Sequence, residues 1–360
     1  MGRGQQAPVV GVPAFLTRLP ATTSVGRIWK LGLASLSKRV TLRVIDDVHR
    51  PGRLRRRVDV WLTDGHQGPL DVAAPVVAVL HEAAWTDPTL RPLMEAWFIE
   101  QFEGPSADAA AEAERVLTGS HSSKVQIVAA YGLPDDRVDV APYGLDHAIY
   151  RPGLPSPADL LAAAGGSPDA PYVLFVSTVH PRKNLGALRD ALAELASDGL
   201  PHALVLVGGP AADRSDSKDL MRAAVAPIPG TPAVPVNLAG ASDADVARLM
   251  AGAAAFCLPS LMEGFGMAVA EAMACGAAVV VSDRGSLPEV VGDAGIVTTT
   301  EASSVAAGLR EVLSSPDRRE ELGRAAARRA AAYTWDSMAA TWSDALTLAV
   351  ASRQPSRGRG

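Results

Sequence analysis

Two glutamates, Glu263 and Glu271, stand eight positions apart around a Gly-Phe-Gly turn in the run EGFGMAVAE. Because glycine has no Cβ, Gly264 and Gly266 allow a ligand to approach the backbone closely. A helix that begins near Met267 directs N–H groups and its positive end at an anion. A carboxylate is repelled by phosphate, so the glutamates are better suited to accept hydrogen bonds from neutral hydroxyls on either side. A surface helix with an acidic first turn is the alternative.

Two cations, Arg182 and Lys183, stand in the run TVHPRKN, which follows an apolar, strand-like run at residues 172–177. In open α/β sheets, ligands bind beyond the carboxyl ends of the strands. The two side chains could therefore neutralise an anion such as a diphosphate, a task for which a divalent metal is the usual substitute. A pair of solvated surface cations is the alternative, but the glutamate run downstream favours anion binding.

His81 and Glu82 form another polar pair at the end of an apolar run, residues 76–80. Imidazole is neutral or charged near neutral pH, so His81 could contact a bound sugar. A purely structural histidine is the alternative. Weaker candidates are the loop histidines without a framing motif, His66, His121 and His180.

The elements that must position these residues alternate along the chain as short apolar runs and longer helical patterns. This alternation predicts βαβ units and parallel sheets, and therefore an α/β fold. The strands predicted in the first half are residues 9–16, 40–45, 58–62, 76–80, 115–118 and 138–141. Those predicted in the second half are residues 172–177, 203–207, 236–238, 254–258, 277–281 and 295–298. Ser242 predicts a helix cap that explains the Asp-x-Asp pattern at 243–245, so no metal site is assigned there.

The chain totals favour a soluble protein of two domains. A chain of 360 residues fits two cores of roughly 150 residues each. Hydrophobic residues make up 48% and charged residues 20%, and no apolar run reaches the roughly 18 residues of a membrane span. The first residues show no secretory pattern, so a cytoplasmic location is expected. Cys257 and Cys275 have no metal-ligand spacing and are predicted to be core residues.

The net charge of −5 is unevenly distributed, since residues 1–57 contain twelve Lys or Arg against Asp46 and Asp47. This basic end, with the run RPGRLRRR at 50–57, could rest peripherally on the inner face of an anionic membrane or attract an acidic acceptor. A solvated basic face is the alternative. Nucleic-acid binding is not expected because no reading motif accompanies the charge. The sequence also lacks a P-loop, a GxGxxG after a strand and a nucleophile elbow.

Residues 259–295, PSLMEGFGMAVAEAMACGAAVVVSDRGSLPEVVGDAG, closely resemble the signature of the retaining GT-B glycosyltransferases of family 4. The resemblance covers most of the chain and is strongest over residues 172–295. It implies two Rossmann-like domains that face each other across a cleft, with a C-terminal helix that crosses back to the N-terminal domain. The implied boundaries are 1–150 for the acceptor domain, 151–333 for the nucleotide-sugar domain, 334–350 for the returning helix and 351–360 for a disordered tail.

The resemblance also assigns roles to residues. The family's first glutamate contacts the donor sugar and its second binds the ribose, which by position are Glu263 and Glu271. His81 matches the family's strand-His-Asp pattern, and Gly26, in TSVGR, matches its N-terminal glycine-rich loop. The diphosphate is expected at Arg182, Lys183, Gly264, Phe265, Gly266, Met267 and Ala268. Many members carry an arginine directly after the strand, where this chain has Ser177-Thr178.

The implied function is a retaining transferase that moves a hexose of the mannose or glucose type from a nucleoside-diphosphate sugar to a hydroxyl acceptor. The resemblance implies that no metal or other cofactor is needed. A glycan, a lipid-linked saccharide and a small molecule all stay open as acceptors. The alternatives are a sugar phosphorylase, a nucleotide-sugar epimerase and a non-catalytic binding protein on the same fold.

Overall fold

The computed structural model describes residues 7–20, 22–46, 58–211, 214–231 and 233–352. The basic run at 50–57 and residues 353–360 of the predicted tail lie outside the described residues. The chain divides into two compact units. Unit 1 comprises Met1–Pro88, Ala96–Gly144 and Thr334–Gly360, and unit 2 comprises Thr89–Glu95 and Leu145–Tyr333. Residues 89–95, expected within the first domain, therefore group with unit 2.

The strands of the described chain are, in order, Val9–Pro13 (β1), Thr41–Ile45 (β2), Val60–Asp64 (β3), Val76–Val79 (β4), Arg115–Thr118 (β5), Val138–Val140 (β6), Tyr172–Val176 (β7), Ala203–Val207 (β8), Val236–Asn237 (β9), Ala255–Leu258 (β10), Val279–Ser282 (β11) and Ile296–Thr298 (β12). The α-helices are Ala14–Thr17 (α1), Ser24–Leu36 (α2), Ala96–Glu112 (α3), His121–Tyr131 (α4), Ala158–Ala163 (α5), Leu185–Ser197 (α6), Ser217–Ala224 (α7), Asp243–Gly252 (α8), Met267–Ala274 (α9), Leu287–Val291 (α10), Ala302–Leu313 (α11), Pro316–Ala330 (α12) and Trp335–Ser352 (α13).

The described strands of unit 1 form one parallel sheet in the order β2-β1-β3-β4-β5-β6. All five residues of β3, VWLTD, are buried. Consecutive buried residues are typical of a parallel strand whose sheet is covered on both faces. The carboxyl ends of β3, β4, β5 and β6 therefore lie along one edge, where the loops that follow them meet.

Helix α13 completes the core of unit 1 by packing against α2. The rings of Trp29 and Trp342 are fully buried, with centroids 5.4 Å apart. Asp336 accepts hydrogen bonds from Ser35 at 3.4 Å and from Arg39 at 2.9 Å. The predicted return of the C-terminal helix to the N-terminal domain is confirmed.

The described strands of unit 2 form a second parallel sheet, in the order β12-β11-β10-β7-β8-β9. Counted within unit 2, this order is 6-5-4-1-2-3, the arrangement of Rossmann folds. The strand order reverses between β7 and β10, which are hydrogen-bonded neighbours. The sheet of unit 1 has a different order, with β1 between β2 and β3.

Cys257 in β10 and Cys275 after α9 are buried thiols without a disulfide bond. Burial raises the pKa of both, that of Cys275 to about 12. The prediction that they are core residues is therefore supported. Across the described residues, no helix is both long and apolar enough to cross a membrane.

Candidate functional site

The reversal of strand order in unit 2 marks the candidate site. In open α/β sheets, ligands bind outside the carboxyl ends of the strands at this point. Here the point lies between β7, which leads into residues 177–184, and β10, which leads into residues 259–266. Arg182 and Lys183 stand in the first loop and Glu263 in the second, so the fold brings residues about 80 positions apart to one edge.

The loop after β7 has a defined shape. A 3-10 turn spans Pro181–Lys183, and Nδ1 of His180 accepts a hydrogen bond from the amide of Arg182 at 2.9 Å. Asn184 then adopts a left-handed conformation with φ of 53°, which asparagine tolerates better than most residues. Its side-chain Nδ2 donates to the carbonyls of Pro259 and Thr300, at 3.2 and 2.8 Å. The loop is thereby tied to the segments that follow β10 and β12.

Lys183 and Glu263 form a buried ion pair, with Nζ and Oε1 2.7 Å apart. Ser260 donates a second hydrogen bond to the same oxygen, also at 2.7 Å. Burial opposes ionisation of Glu263, but the charges of Lys183 and Arg182 and the two hydrogen bonds outweigh it and lower the pKa of Glu263 below its usual value. The carboxylate is therefore ionised. The predicted roles treated the two residues separately, and the contribution of Ser260 was missed.

Arg182 also takes part in holding the site together. Its guanidinium donates to the carbonyl of Met262 at 3.1 Å, and its own carbonyl accepts from the amide of Leu261 at 2.8 Å. These bonds place the guanidinium beside the residue that precedes Glu263. Arg182 and Lys183 thus contribute positive charge at the start of the glycine-containing loop, as an anion site requires.

The glycine-containing loop leads into α9. Gly266 is the N-cap residue of α9 and has φ of 86°, a conformation that favours glycine. Since glycine has no side chain, the cap leaves the amides of Met267 and Ala268 without a side-chain acceptor at that position. Gly264 lies between the ion pair and this helix start. The geometry matches the predicted anion site, whose ligand contacts stay a prediction.

Phe265 and Glu271 lie on the buried side of the same segment. The ring of Phe265 packs edge-on against Tyr333, with centroids 5.4 Å apart, so the side chain serves packing and only the backbone could meet a ligand. Glu271 is in the second turn of α9 and is 4% exposed. The ribose-binding role of this carboxylate stays a prediction.

The loop after β11 supports Glu263 from a third direction. Gly285 has φ of 57°, and a Cβ there would lie 2.5 Å from the Glu263 carbonyl oxygen. The amide and the hydroxyl of Ser286 both donate to that oxygen at 3.1 Å. Ser286 is the N-cap residue of α10, but its side chain makes no capping bond and contacts Glu263 instead.

The other predicted site residues belong to unit 1. His81 follows β4 and has both ring nitrogens directed at protein groups, Nδ1 at the Tyr143 hydroxyl (2.6 Å) and Nε2 at Oδ2 of Asp64 (3.6 Å). At 3.6 Å from the carboxylate, Nε2 is beyond hydrogen-bond distance and has no other hydrogen-bond partner among the described residues, so the predicted contact between the imidazole and a sugar stays a prediction. Sequence reasoning did not find the contacts that Asp64 and Tyr143 make with His81. The positions of Asp64 and Tyr143 could have identified them, because each stands at or just beyond the carboxyl end of a strand.

Gly26 lies inside the first turn of α2, where the Thr23 hydroxyl accepts from its amide at 3.0 Å. A Cβ on Gly26 would lie 1.9 Å from the Pro20 carbonyl oxygen. Close packing of the chain that leads into the helix therefore explains this glycine without a ligand. The predicted approach to the reacting sugar stays untested.

Metal binding has no structural support in the part of the chain that the structure describes, where no group of three or more His, Cys, Asp or Glu could hold an ion. At the Asp-x-Asp pattern, the Ser242 hydroxyl accepts from the amide of Asp245 at 3.2 Å and caps α8 as predicted. Whether the reaction needs a metal is a separate question, and metal independence stays a prediction.

Comparison with known sequences identifies a family match within unit 2 and relatives that match a larger part of the chain. Residues 162–329 match the family model described as "Glycosyl transferases group 1". A D-inositol 3-phosphate glycosyltransferase of Acidothermus cellulolyticus is 33% identical over 237 residues, which cover 64% of this chain and 52% of that protein. An MMP alpha-(1->4)-mannosyltransferase of Mycolicibacterium hassiacum is 29% identical over 280 residues, 74% of this chain and 63% of that protein. The chain thus spans about half to three fifths of the length of these curated relatives.

Solved structures show the same fold. Sucrose-phosphate synthase from Thermosynechococcus elongatus has a TM-score of 0.72 at 17% identity, covering 96% of this chain and all of that one. Anabaena HepE, solved in complex with UDP and glucose, has a TM-score of 0.67 at 18% identity, covering 95% and 99%. At these identities the likeness shows the fold alone, and it confirms the predicted GT-B class. Residues 162–329 therefore carry the domain that defines the glycosyl transferases group 1 family.

Proposed function

We propose that this chain is a retaining glycosyltransferase of the family 4 type, which moves a hexose from a nucleoside-diphosphate sugar to a hydroxyl acceptor without a metal. The observation that carries the proposal is the buried Lys183–Glu263 pair at the strand-order reversal of unit 2, directly before the glycine-capped start of α9. Two cations and the start of a helix suit a diphosphate, and a carboxylate at the same edge can accept a hydrogen bond from a hydroxyl of the attached sugar.

In this proposal, the diphosphate lies against the amides at the start of α9 and near Arg182 and Lys183. An ammonium carries three N–H donors, and Glu263 takes one of them, which holds the charge in a fixed place. Positive charge fixed before the reaction stabilises the negative charge that grows on the leaving diphosphate. Glu271 accepts from the ribose hydroxyls.

The chemistry proposed for Glu263 is electrostatic. Retention by double displacement needs a second carboxylate close enough to attack the anomeric carbon. Oε1 of Glu263 already accepts from Lys183 and Ser260, which lowers its strength as a nucleophile. We therefore assign attack on the face of the leaving group. The bond from the anomeric carbon to the phosphate oxygen breaks, the bond to the acceptor oxygen forms, and the acceptor's proton passes to the departing phosphate oxygen.

The names of the relatives support the sugar-transfer class. Relatives are named a D-inositol 3-phosphate glycosyltransferase and an MMP alpha-(1->4)-mannosyltransferase, and HepE was solved with UDP and glucose. These names favour hexose donors of the mannose or glucose type. They leave open a glycan, a lipid-linked saccharide or a small molecule as the acceptor of this chain.

A thermal-shift panel tests the donor site. GDP-mannose, UDP-glucose, UDP-N-acetylglucosamine, GDP and UDP are added separately, without metal. The ligands that carry one of the two bases, guanine or uracil, are expected to stabilise the protein, by about 2.7 kcal/mol at 100 times the dissociation constant. Glu271→Gln should remove most of this shift because the ribose loses a charged acceptor, worth about 1–3 kcal/mol. The control is Asp169→Asn, an exposed carboxylate before β7 at the opposite edge of the sheet, which should keep the shift.

Turnover with the donor so identified decides the reaction class. Transfer to a hydroxyl acceptor with the donor's anomeric configuration kept supports the proposal, and an inverted product contradicts the front-face mechanism. Dependence on inorganic phosphate would indicate a phosphorylase, and conversion of the donor without acceptor an epimerase. Donor binding with no turnover would favour the non-catalytic alternative.

A further inference from the structure

A buried polar network lies at the carboxyl edge of the unit 1 sheet and includes residues that the proposed function does not use. The Tyr143 hydroxyl is 2.6 Å from Nδ1 of His81, and Oδ2 of Asp64 is 3.6 Å from Nε2. Asp64 is 4% exposed and Tyr143 3% exposed. Asp64 ends β3, His81 follows β4 and Tyr143 follows β6, so the neighbouring strands β3 and β4 and the more distant β6, beyond β5, contribute to the network.

His66 fixes the main chain of His81. Oδ1 of Asp64 accepts from the His66 amide at 3.0 Å, and Nε2 of His66 accepts from the His81 amide, also at 3.0 Å. A nitrogen that accepts carries no proton, so His66 has its proton on Nδ1 and donates to the Ser106 hydroxyl at 2.8 Å. Burial lowers the pKa of His66 to about 4, so the ring is neutral at pH 7.

The partners of the His81 ring differ in what they can offer. Burial raises the pKa of Tyr143, which keeps the phenol protonated and able to donate to Nδ1. Burial would also raise the pKa of Asp64, but the nearby imidazoles of His81 and His66 outweigh burial and lower it to about 2. A carboxylate therefore faces Nε2 of His81 at 3.6 Å, beyond hydrogen-bond distance. Asp64 also accepts from the Trp29 indole at 3.2 Å, which restrains its orientation.

We propose that Tyr143 and Asp64 are positioning residues that hold His81 as the Nε2–H tautomer in a single orientation at the end of β4. Tyr143 donates to Nδ1 and Asp64 faces the proton on Nε2, while His66 holds the His81 main chain. His81 then serves sugar transfer in one fixed orientation at the end of β4. This role rests on the proposed function, whereas the tautomer does not.

Nitrogen-15 NMR of the full chain with labelled histidine reads the tautomer without turnover. The chain has seven histidines, and loss of one signal set in His81→Gln assigns His81. At pH 7.5, Nδ1 of His81 should show the shift of an unprotonated nitrogen and Nε2 that of a protonated one. His66 should show the reverse pattern, which provides an internal reference. A wild-type His81 with the proton on Nδ1, or exchanging between both forms, overturns the tautomer.

Tyr143→Phe tests the positioning role. It keeps the ring that packs against Gly119, so the fold is expected to survive. The His81 shifts should move toward the exchange average, and kcat should fall about 10- to 100-fold, the effect of misplacing a group at a reaction site, with the donor KM unchanged. Asp64→Asn is the second variant and should displace the Nε2 signal and lower kcat in the same way. Tyr172→Phe, which removes a phenol bonded to the Leu249 carbonyl in unit 2, should change neither readout.

The outcomes separate the two proposals. If Tyr143→Phe changes the His81 shifts but leaves kcat at the wild-type value, the positioning role is overturned. If neither Tyr143→Phe nor Asp64→Asn moves the shifts, the network does not hold the ring. A wild-type protein with the expected tautomer and bound nucleotide but no transfer refutes the proposed function and with it the positioning role, while the tautomer stands.

Discussion

The ion pair between Lys183 and Glu263 holds the loops after β7 and β10 together, and its loss has a measurable cost. We expect Lys183→Met to lower the free energy of unfolding by about 3–5 kcal/mol, because the Glu263 carboxylate is left uncompensated. Each side chain of the pair is only 11% exposed, so water cannot replace the lost partner. Methionine keeps the apolar stem of the lysine, so the expected effect arises from charge and not from a cavity.

Removing both charges should recover most of the stability. In Lys183→Met/Glu263→Gln no charge remains buried at the pair, and the glutamine oxygen can still accept from Ser260. The double variant is expected within about 2 kcal/mol of the wild type. The coupling energy of the cycle should then be at least about 2 kcal/mol, compared with about 0–1 kcal/mol for an exposed pair such as Arg222–Asp219.

The distribution of tryptophan makes the assay specific to a unit. All six tryptophans lie in unit 1, so tryptophan fluorescence follows unit 1, whereas far-UV circular dichroism follows both units. Urea unfolding of Lys183→Met should shift the dichroism transition. The control Lys218→Met, an exposed position on α7, should stay within about 0.5 kcal/mol of the wild type. If Lys183→Met costs no more than the control, or if the double variant equals the sum of the single ones, the reasoning on the buried pair is refuted.

Two further changes test other parts of the two units. Gly285→Ala should lower the free energy of unfolding in urea by more than about 1 kcal/mol, since φ is 57° and the new Cβ would lie 2.5 Å from the Glu263 carbonyl oxygen. The control Gly186→Ala, with open space around the new Cβ in α6, should be neutral or stabilising in the same assay. An equal effect of the two would contradict the strain at Gly285. The folded state resists protonation of His66, whose pKa is lowered from 6.5 to about 4, while the unfolded state binds the proton. Between pH 7 and pH 5 this residue should therefore cost the folded state about 2 kcal/mol, and His66→Gln should lose that part of the pH dependence in tryptophan-monitored unfolding. A pH dependence identical in variant and wild type would show that His66 does not titrate as proposed.

The strands were predictable because a parallel strand buried on both faces is a continuous apolar run. Each predicted strand is present, with ends displaced by up to three residues, as at β1, which stops at Pro13 instead of residue 16. Strand β3 was predicted at 58–62 and lies at Val60–Asp64. Its last residues, Thr63 and Asp64, are polar yet buried, and an apolar pattern cannot find a strand that ends in a hydrogen-bonding residue.

The glycine-capped helix start and the cations after β7 were also predictable, because each is a local pattern in the sequence. The ion pair was not, since Lys183 and Glu263 stand 80 residues apart and only the sheet order makes their strands neighbours. For the same reason the contact between the Tyr143 hydroxyl and His81, 62 residues away, could not be predicted. Contacts between residues far apart in the sequence are fixed by the order of the strands in the sheet, and the spacing of residues along the chain does not reveal that order.

The return of α13 to unit 1 sets the order in which the protein can fold during its synthesis. Trp342 and Trp29 complete one core, yet 313 positions separate them on the chain. The ribosome delivers all of unit 2 before it delivers residues 335–352, so unit 2 can fold while the apolar face of α2 still lacks its cover. N-terminal domains usually fold first during translation. Here the domain that emerges first is completed last. A nascent chain that ends before residue 335 exposes a hydrophobic surface that chaperones can bind.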